Sequence, residues 1–202
     1  GDLKYAVYDG ASWVVSLVDS EGDVGSHSSL SFAPNGQPAI SYYEGEPQND
    51  LKYAWYDGST WRTMRLDRQG DVGTYTSLAF DGGGMGHISY FDATNGALKY
   101  AWDDGFGWLT ATVDTAQGDG ETGLFTSLAL RPDGRPSISY YATNELMNNG
   151  VLRYAEFDWI KWSITTVEGG GGNRHIGTYT SLAFDADNRP SISYLEGVNY
   201  NL

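Results

Sequence analysis

One segment occurs four times along this chain of 202 residues, and it constrains the fold more than any other feature. The stretch "DLKYAWYDGSTW" begins at Asp50, and its counterparts begin at Asp2, Ala97 and Val151. A Ser-Leu segment, an "ISY" segment and a tryptophan recur with the same spacing. Four markers that keep register through four copies predict a repeat architecture, in which each copy is one supersecondary unit.

Each copy reads as four short strands joined by tight turns. Leu51, Tyr53 and Trp55 alternate with other residues and therefore share one face of a strand, as Leu78 and Phe80 do in another. Asp-Gly and Asn-containing turns separate the alternating runs, which is typical of β-hairpins. A unit of about 40 to 50 residues with four antiparallel strands is the blade of a β-propeller.

The repeats predict an all-β fold, a β-propeller with four blades of four antiparallel strands. Residues 1–202 form one domain, with repeats at approximately 1–49, 50–96, 97–150 and 151–202. The chain begins with the third and fourth strands of a unit and ends with the first and second. Pairing of these two ends would close the ring and leave no unpaired sheet edge. The alternative is a fragment of, or half of, a larger propeller, and the sequence leaves both open.

The order of these segments resembles a known type of repeat. A "SLAFD" strand, a glycine turn, an "ISY" strand, an asparagine turn and an "LKY" strand follow one another, as in NHL-type propeller repeats. The pattern also resembles degenerate propeller repeats of bacterial extracellular proteins. The resemblance covers nearly the whole chain at the level of the fold, and it carries over no functional residue.

Charge and composition restrict the partners. The formal net charge is −14, which argues against nucleic acid because a phosphate-binding surface is basic. The chain has no cysteine and no apolar run long enough for a membrane helix. We therefore expect an extracellular or cell-surface protein, a monomer or homodimer, with a glycan, a surface polymer or a protein as partner and no membrane insertion.

Aromatic residues supply the candidate binding positions. The tryptophans present in every copy are expected to pack between blades, because positions shared by all repeats usually support the fold. Positions that are aromatic in most copies are better ligand candidates, since an aromatic face near polar loops stacks on a sugar ring. The predicted ligand-binding residues are Tyr43, Trp55, Tyr75, Phe91, Trp102, Phe125, Tyr141 and Tyr179.

Metal binding and catalysis have weak support. Asp19, Glu21 and Asp23 are spaced two apart and are weak candidates for calcium, although the closing glutamate of an EF-hand is missing. No other metal or cofactor is expected. No catalytic residue is predicted, because the three histidines fall at different repeat positions and lack a catalytic motif. The residues that break the repeat are Asp103, Arg131, Glu156, Trp159, Arg174 and His175.

The sequence is compatible with three functions. The sequence favours a non-catalytic secreted or surface binding module, lectin-like or polymer-binding, with repeated sites between blades or on the loop face. A structural or adhesive interaction domain of a larger extracellular protein is the first alternative. A carbohydrate-active hydrolase or lyase is the second, because a glycosidase pair of carboxylates depends on spatial separation rather than sequence.

Overall fold

The computed structural model describes residues 1–116, 120–144, 149–169 and 174–198, and within them it contains strands and no helix. The strands are β1 (Leu3–Tyr8), β2 (Trp13–Asp19), β3 (Val24–Phe32), β4 (Pro38–Glu44), β5 (Asp50–Tyr56), β6 (Trp61–Asp67), β7 (Val72–Phe80), β8 (Gly86–Asp92), β9 (Ala97–Asp103), β10 (Trp108–Thr115), β11 (Thr122–Leu130), β12 (Pro136–Asn144), β13 (Asn149–Phe157), β14 (Trp162–Glu168), β15 (Arg174–Phe184) and β16 (Pro190–Val198). None of the described segments is a helix long and apolar enough to span a membrane.

The strands form three complete antiparallel blades and two terminal hairpins. The first blade is β3–β6, the second is β7–β10 and the third is β11–β14. The N-terminal hairpin is β1–β2, and the C-terminal hairpin is β15–β16, which joins β13 through one parallel bridge from Gly150 to His175. The first strands of successive units, β3, β7, β11 and β15, pack side by side. The predicted all-β propeller architecture is confirmed.

The structure does not close this chain into a four-bladed ring. Among the described residues, β1 pairs with β2 alone, and β16 pairs with β15 alone. β15 packs on the third blade, whereas β1 and β2 pack on the first blade. The predicted pairing of the two hairpins is therefore not formed among the described residues, because the hairpins pack against different blades of the array. The open arc agrees with the predicted alternative of part of a larger propeller.

The repeated Ser-Leu segment holds neighbouring inner strands together. Leu78 donates its backbone N–H to Ser29 Oγ at 3.0 Å, and Leu128 makes the same bond with Ser77. The hydroxyl of Thr76 donates to the backbone carbonyl of His27 at 2.9 Å. These bonds cross from one unit to the next, which explains why the same serine recurs along the chain.

Triads of an acid, a tyrosine and a base join each unit to the next one along the chain. In the first contact, Asp19 accepts a bond from Tyr42 at 2.6 Å and pairs with Lys52 at 2.5 Å. The next contact repeats this arrangement with Asp67, Tyr90 and Lys99, and the third uses Asp114, Tyr140 and Arg153.

The aspartates of the first two triads stay ionised despite their burial. Burial on its own would raise the pKa of Asp67, yet hydrogen bonds from Lys99 and Tyr90 hold it below its ordinary value, and Asp19 behaves alike. The "LKY" and "ISY" segments therefore recur because each blade supplies a tyrosine and a base to the acid of the blade before it.

Candidate functional site

Three of the four recurring tryptophans, Trp61, Trp108 and Trp162, pack between neighbouring units as their repetition predicts, whereas Trp13 is 69% exposed. Trp108 of the second blade contacts Tyr53 of the first, with ring centroids 4.9 Å apart. Trp162 of the third blade contacts Tyr100 of the second at 5.2 Å, edge to face. Such aromatic pairs stabilise beyond the area that they bury. These contacts form the floor of the clefts between blades.

An apolar cleft of about 410 Å³ lies between the second and third blades. Trp102 stacks on Tyr100 at one wall, with centroids 5.5 Å apart and planes 16° from parallel. Phe157 and Trp162 form the facing wall, with centroids 5.4 Å apart. The residues that line this cleft are His87, Tyr100, Trp102, Ala111, Pro136, Phe157, Trp159, Ile160, Lys161 and Trp162.

Trp159 stands at the mouth of this cleft in an unusual backbone conformation. It follows Asp158 in the β13–β14 turn with φ of 76°, and its side chain is 62% exposed. The equivalent position of the other three turns is glycine, namely Gly10, Gly58 and Gly105, with φ between 87° and 101°. A bulky residue in the left-handed region is a backbone outlier, and such strain concentrates at functional sites.

His87 is the buried polar group of the cleft. Its side chain is nearly inaccessible, and its Nδ1 contacts the hydroxyl of Tyr100. Its Nε2 has no hydrogen-bond partner in the structure, and the nearest carboxylate oxygen, Asp81 Oδ2, lies 3.8 Å away. Burial lowers the pKa of His87 more than Asp81 and Asp103 raise it, so the imidazole is neutral at pH 7. A neutral imidazole nitrogen suits a sugar hydroxyl, which both donates and accepts.

The burial of His87 predicts a pH dependence of stability. Because its pKa is lower in the folded protein than in the unfolded chain, the unfolded chain binds more protons below about pH 6.5. The free energy of unfolding should therefore fall as the pH drops from about 6.5 to 5, and His87→Gln should flatten this part of the curve. Urea unfolding at several pH values measures it. An unchanged slope in His87→Gln would contradict the assignment.

A second aromatic group lies near the axis of the arc, where β3, β7, β11 and β15 meet. His27, Tyr75, Phe125 and Tyr179 follow one another with ring centroids 4.5 to 4.7 Å apart. All four have φ between 53° and 55°, and they line a shallow cavity of about 330 Å³. We call these four residues the axial aromatic row.

Six of the eight predicted ligand-binding residues lie in or behind the axial aromatic row, Trp102 lines the cleft, and Trp55 packs between the first and second blades. Tyr75, Phe125 and Tyr179 belong to the axial aromatic row. Behind the row lie Tyr43, Phe91 and Tyr141, each with its ring centroid 6.2 to 6.4 Å from a row member.

The three residues behind the row have little capacity for ligand contact. Phe91 and Tyr141 are buried, and burial raises the pKa of Tyr141 to about 12. The hydroxyl of Tyr43 already donates to Asp71 at 2.8 Å. These three side chains are therefore used in internal packing and hydrogen bonding.

The remaining two predicted residues lie at the other end of the strands, within contacts between blades. Trp55 stacks on Tyr53, and Trp102 stacks on Tyr100 in the cleft described above. The structure therefore does not bring the eight predicted residues into one site. The sequence pattern did not identify His87 or Trp162 as ligand-binding residues. It did single out Trp159 as a break in the repeat, and the tryptophan at a turn glycine was the available signal.

The weak calcium candidates do not converge on a common point. Asp19 is bound by Tyr42 and Lys52, so its carboxylate is already neutralised. Within the described ranges, no group of three or more His, Cys, Asp or Glu side chains could hold a metal ion. The calcium site predicted at Asp19, Glu21 and Asp23 is therefore not formed among the described residues, because the carboxylate of Asp19 is used in an ion pair with Lys52.

Comparison with known proteins identifies the fold but not a family. No protein-family model matches the chain, and no curated protein sequence matches it. Similar solved structures include an arabinofuranosidase of Fusarium graminearum in complex with arabinobiose, at 15% identity and a TM-score of 0.64. A lectin of Aleuria aurantia in complex with Fucα1-6GlcNAc has 15% identity and a TM-score of 0.55, and a fucose lectin of Kordia zhangzhouensis in complex with methyl-fucoside has 17% and 0.50.

These similarities define a β-propeller whose neighbours act on or bind carbohydrate. The alignments cover 89% of this chain and 58% of the arabinofuranosidase, and 94% of this chain and 62% of the Aleuria lectin. The chain thus spans about three fifths of the length of these two proteins. The alignment with the Kordia lectin covers 71% of this chain and 99% of that protein. The resemblance to NHL-type repeats is not confirmed. The neighbours include both lectins and hydrolases.

Proposed function

We propose that this protein is a secreted or surface carbohydrate-binding module of the lectin type, with its main binding cleft between the second and third blades. The observation that carries the proposal is Trp159, a tryptophan in a left-handed turn position that is glycine in the other three repeats. It projects over an apolar cleft that already contains Trp102 and Trp162. Aromatic walls with a few polar groups suit the apolar face and hydroxyls of a sugar.

The chemistry of the cleft favours a neutral glycan. Its lining includes no carboxylate, and its polar groups are His87, Lys161 and the hydroxyl of Tyr100. The imidazole of His87 and the phenol of Tyr100 offer hydrogen bonds without charge. The neighbours that bind fucosides and arabinobiose show that related folds accommodate neutral sugars, which supports the proposal at the level of the fold.

A hydrolase has less support from the cavities. Glycosidases need two carboxyl groups, about 5 to 10 Å apart, on either side of the scissile bond. Three of the cavities formed by the described residues have no aspartate or glutamate among their lining residues. A binding function therefore fits these surfaces better than hydrolysis does.

Trp159→Gly tests the proposal with little risk of misfolding, because it restores the glycine of the other repeats. We expect its affinity for a glycan identified on an array to fall at least about tenfold, which corresponds to about 1.4 kcal/mol. We also expect the free energy of unfolding to rise by about 1 kcal/mol, since a strained left-handed residue is relieved. Titration calorimetry and urea unfolding measure the two effects.

Phe106→Ala is the matched control. Phe106 is an aromatic residue in the β9–β10 turn, it is 99% exposed, and it does not line the cleft. Its removal should leave glycan binding unchanged. Equal affinity in Trp159→Gly and the native chain would refute the cleft. Release of reducing sugar from the array hit would instead favour the hydrolase.

A further inference from the structure

A proline forms part of the wall of the cleft between the second and third blades. Pro136 is the first residue of β12 and lines this cleft together with Trp162. Pro38 is the first residue of β4, at the same position of the repeat, and lines another cavity beside Trp61. The second blade differs, because its corresponding strand, β8, begins with Gly86. The recurring tryptophan thus has a proline beside it in the first and third blades and a glycine in the second.

Trp108 occupies the space next to Gly86. A Cβ atom at Gly86 would lie 2.8 Å from Cη2 of the indole ring and 3.1 Å from its Cζ2, and the first of these distances is too short for a real Cβ atom. Cη2 is the far end of a side chain, so the ring rather than the strand would have to move. The backbone does not require glycine here, since φ at Gly86 is not positive. The absence of a side chain at position 86 is therefore what admits the indole ring.

The geometry of the aromatic pairs differs in the same way. Trp61 and Trp162 each contact a tyrosine of the preceding unit edge to face, with ring centroids 5.2 Å apart and planes at 63° and 74°. Trp108 lies nearer to its tyrosine, Tyr53, with centroids 4.9 Å apart and planes at 54°. The two tryptophans beside a proline therefore share one arrangement, and the tryptophan beside the glycine has a closer and more tilted one.

The wall that the preceding blade contributes is the same in both clefts. Tyr53 and Trp55 of the first blade stack with centroids 5.7 Å apart and planes 17° from parallel. Tyr100 and Trp102 of the second blade stack at 5.5 Å and 16°. The preceding blade therefore does not account for the difference between the two clefts, which arises on the side of the following blade.

We propose that the first residue of the second strand in each blade determines whether the cleft in front of that blade admits a sugar ring. Gly86 lets Trp108 fill the cleft between the first and second blades, whereas the ring of Pro136 keeps Trp162 out of the equivalent space. The cleft between the second and third blades then retains its volume of about 410 Å³. This inference rests on the proposed function, and it makes Pro136 a residue that selects the binding cleft.

Gly86→Pro should open the cleft between the first and second blades. The backbone accepts proline, because the corresponding strand of the other three repeats begins with proline in the same register. A crystal structure of the variant should show the Trp108 ring displaced from position 86, with its centroid about 5.2 Å from that of Tyr53, as in the two blades with proline. Titration calorimetry should detect a second glycan site, which is weaker because Gly105 provides no counterpart of Trp159.

Pro136→Gly should have the opposite effect on the native cleft. Trp162 can then move onto the strand, and the affinity for a glycan identified on an array should fall at least about tenfold. Pro136→Ala should lose less affinity than Pro136→Gly, because it keeps the Cβ atom that excludes the indole ring. Pro132→Gly is the control, since Pro132 is exposed in the β11–β12 turn of the same blade and does not line the cleft. It should leave the affinity unchanged.

Three results would overturn the proposal. The first is a Trp108 ring that keeps its native position in Gly86→Pro, and the second is equal affinity in Pro136→Gly and the native chain. The third is an equal loss in Pro136→Ala and Pro136→Gly, which would assign the effect to the rigidity of proline. The ring positions are measured without a ligand, so rings that move as expected in a protein that binds no glycan would contradict the proposed function and not the role of positions 86 and 136.

Discussion

Lys99→Met should lower the free energy of unfolding by about 3–5 kcal/mol, because it removes one partner of a buried ion pair. Lys99 pairs with Asp67 between the first two blades, and both side chains are almost inaccessible. The ionised carboxylate then keeps only the hydrogen bonds from the hydroxyl of Tyr90 at 2.7 Å and from the backbone N–H of Gln69 at 3.1 Å. Guanidinium unfolding curves measure the change.

The double variant Asp67→Asn/Lys99→Met separates the buried charge from the lost packing. It should be more stable than Lys99→Met alone, since no unpaired charge remains. Lys161→Met, which changes an exposed lysine, should stay within about 0.5 kcal/mol of the native chain. A loss below about 1 kcal/mol in Lys99→Met would show that the triads contribute little to the joining of blades.

Gly123→Ala should be at least as damaging, with an expected loss of about 3–5 kcal/mol. The backbone of Gly123 has φ of 102°, which L residues rarely adopt. A Cβ atom there would lie 2.6 Å from the Cα of Leu98 in the preceding blade, so backbone rather than a flexible side chain would have to move. Thermal and chemical unfolding measure the loss.

Gly82→Ala is the comparison for this substitution. Gly82 lies in the β7–β8 turn without a positive φ, and a Cβ atom there would meet nothing within 4 Å. We expect a change within about 0.5 kcal/mol. If Gly123→Ala were equally mild, the close approach of β11 to β9 would not be essential to the stacking of blades.

The blades could be predicted from the sequence because their determinants are local. Alternation along strands such as "LKYAWYD" and the turn residues between them specify an antiparallel unit without knowledge of the rest. Closure could not be predicted in this way. It depends on the angle between blades, which the bonds of Ser29, Ser77 and Thr76 to neighbouring strands help to set in three dimensions.

The candidate site was only partly accessible to the sequence. Counting aromatic residues per repeat position does not say which end of a strand they occupy, so Tyr75 and Trp102 were grouped although they lie in different places. His87 has no aromatic or histidine counterpart in the other repeats, and its burial became visible only with the fold. Trp159 was recognisable as a break in the repeat, but its left-handed conformation was not.

A crystal structure with a bound glycan is the most direct test of the proposal that the cleft between the second and third blades binds carbohydrate. A sugar ring should lie against Trp159 and Trp162 in the cleft between the second and third blades. A glycan bound at the axial aromatic row, or an empty cleft at saturating glycan, would contradict it.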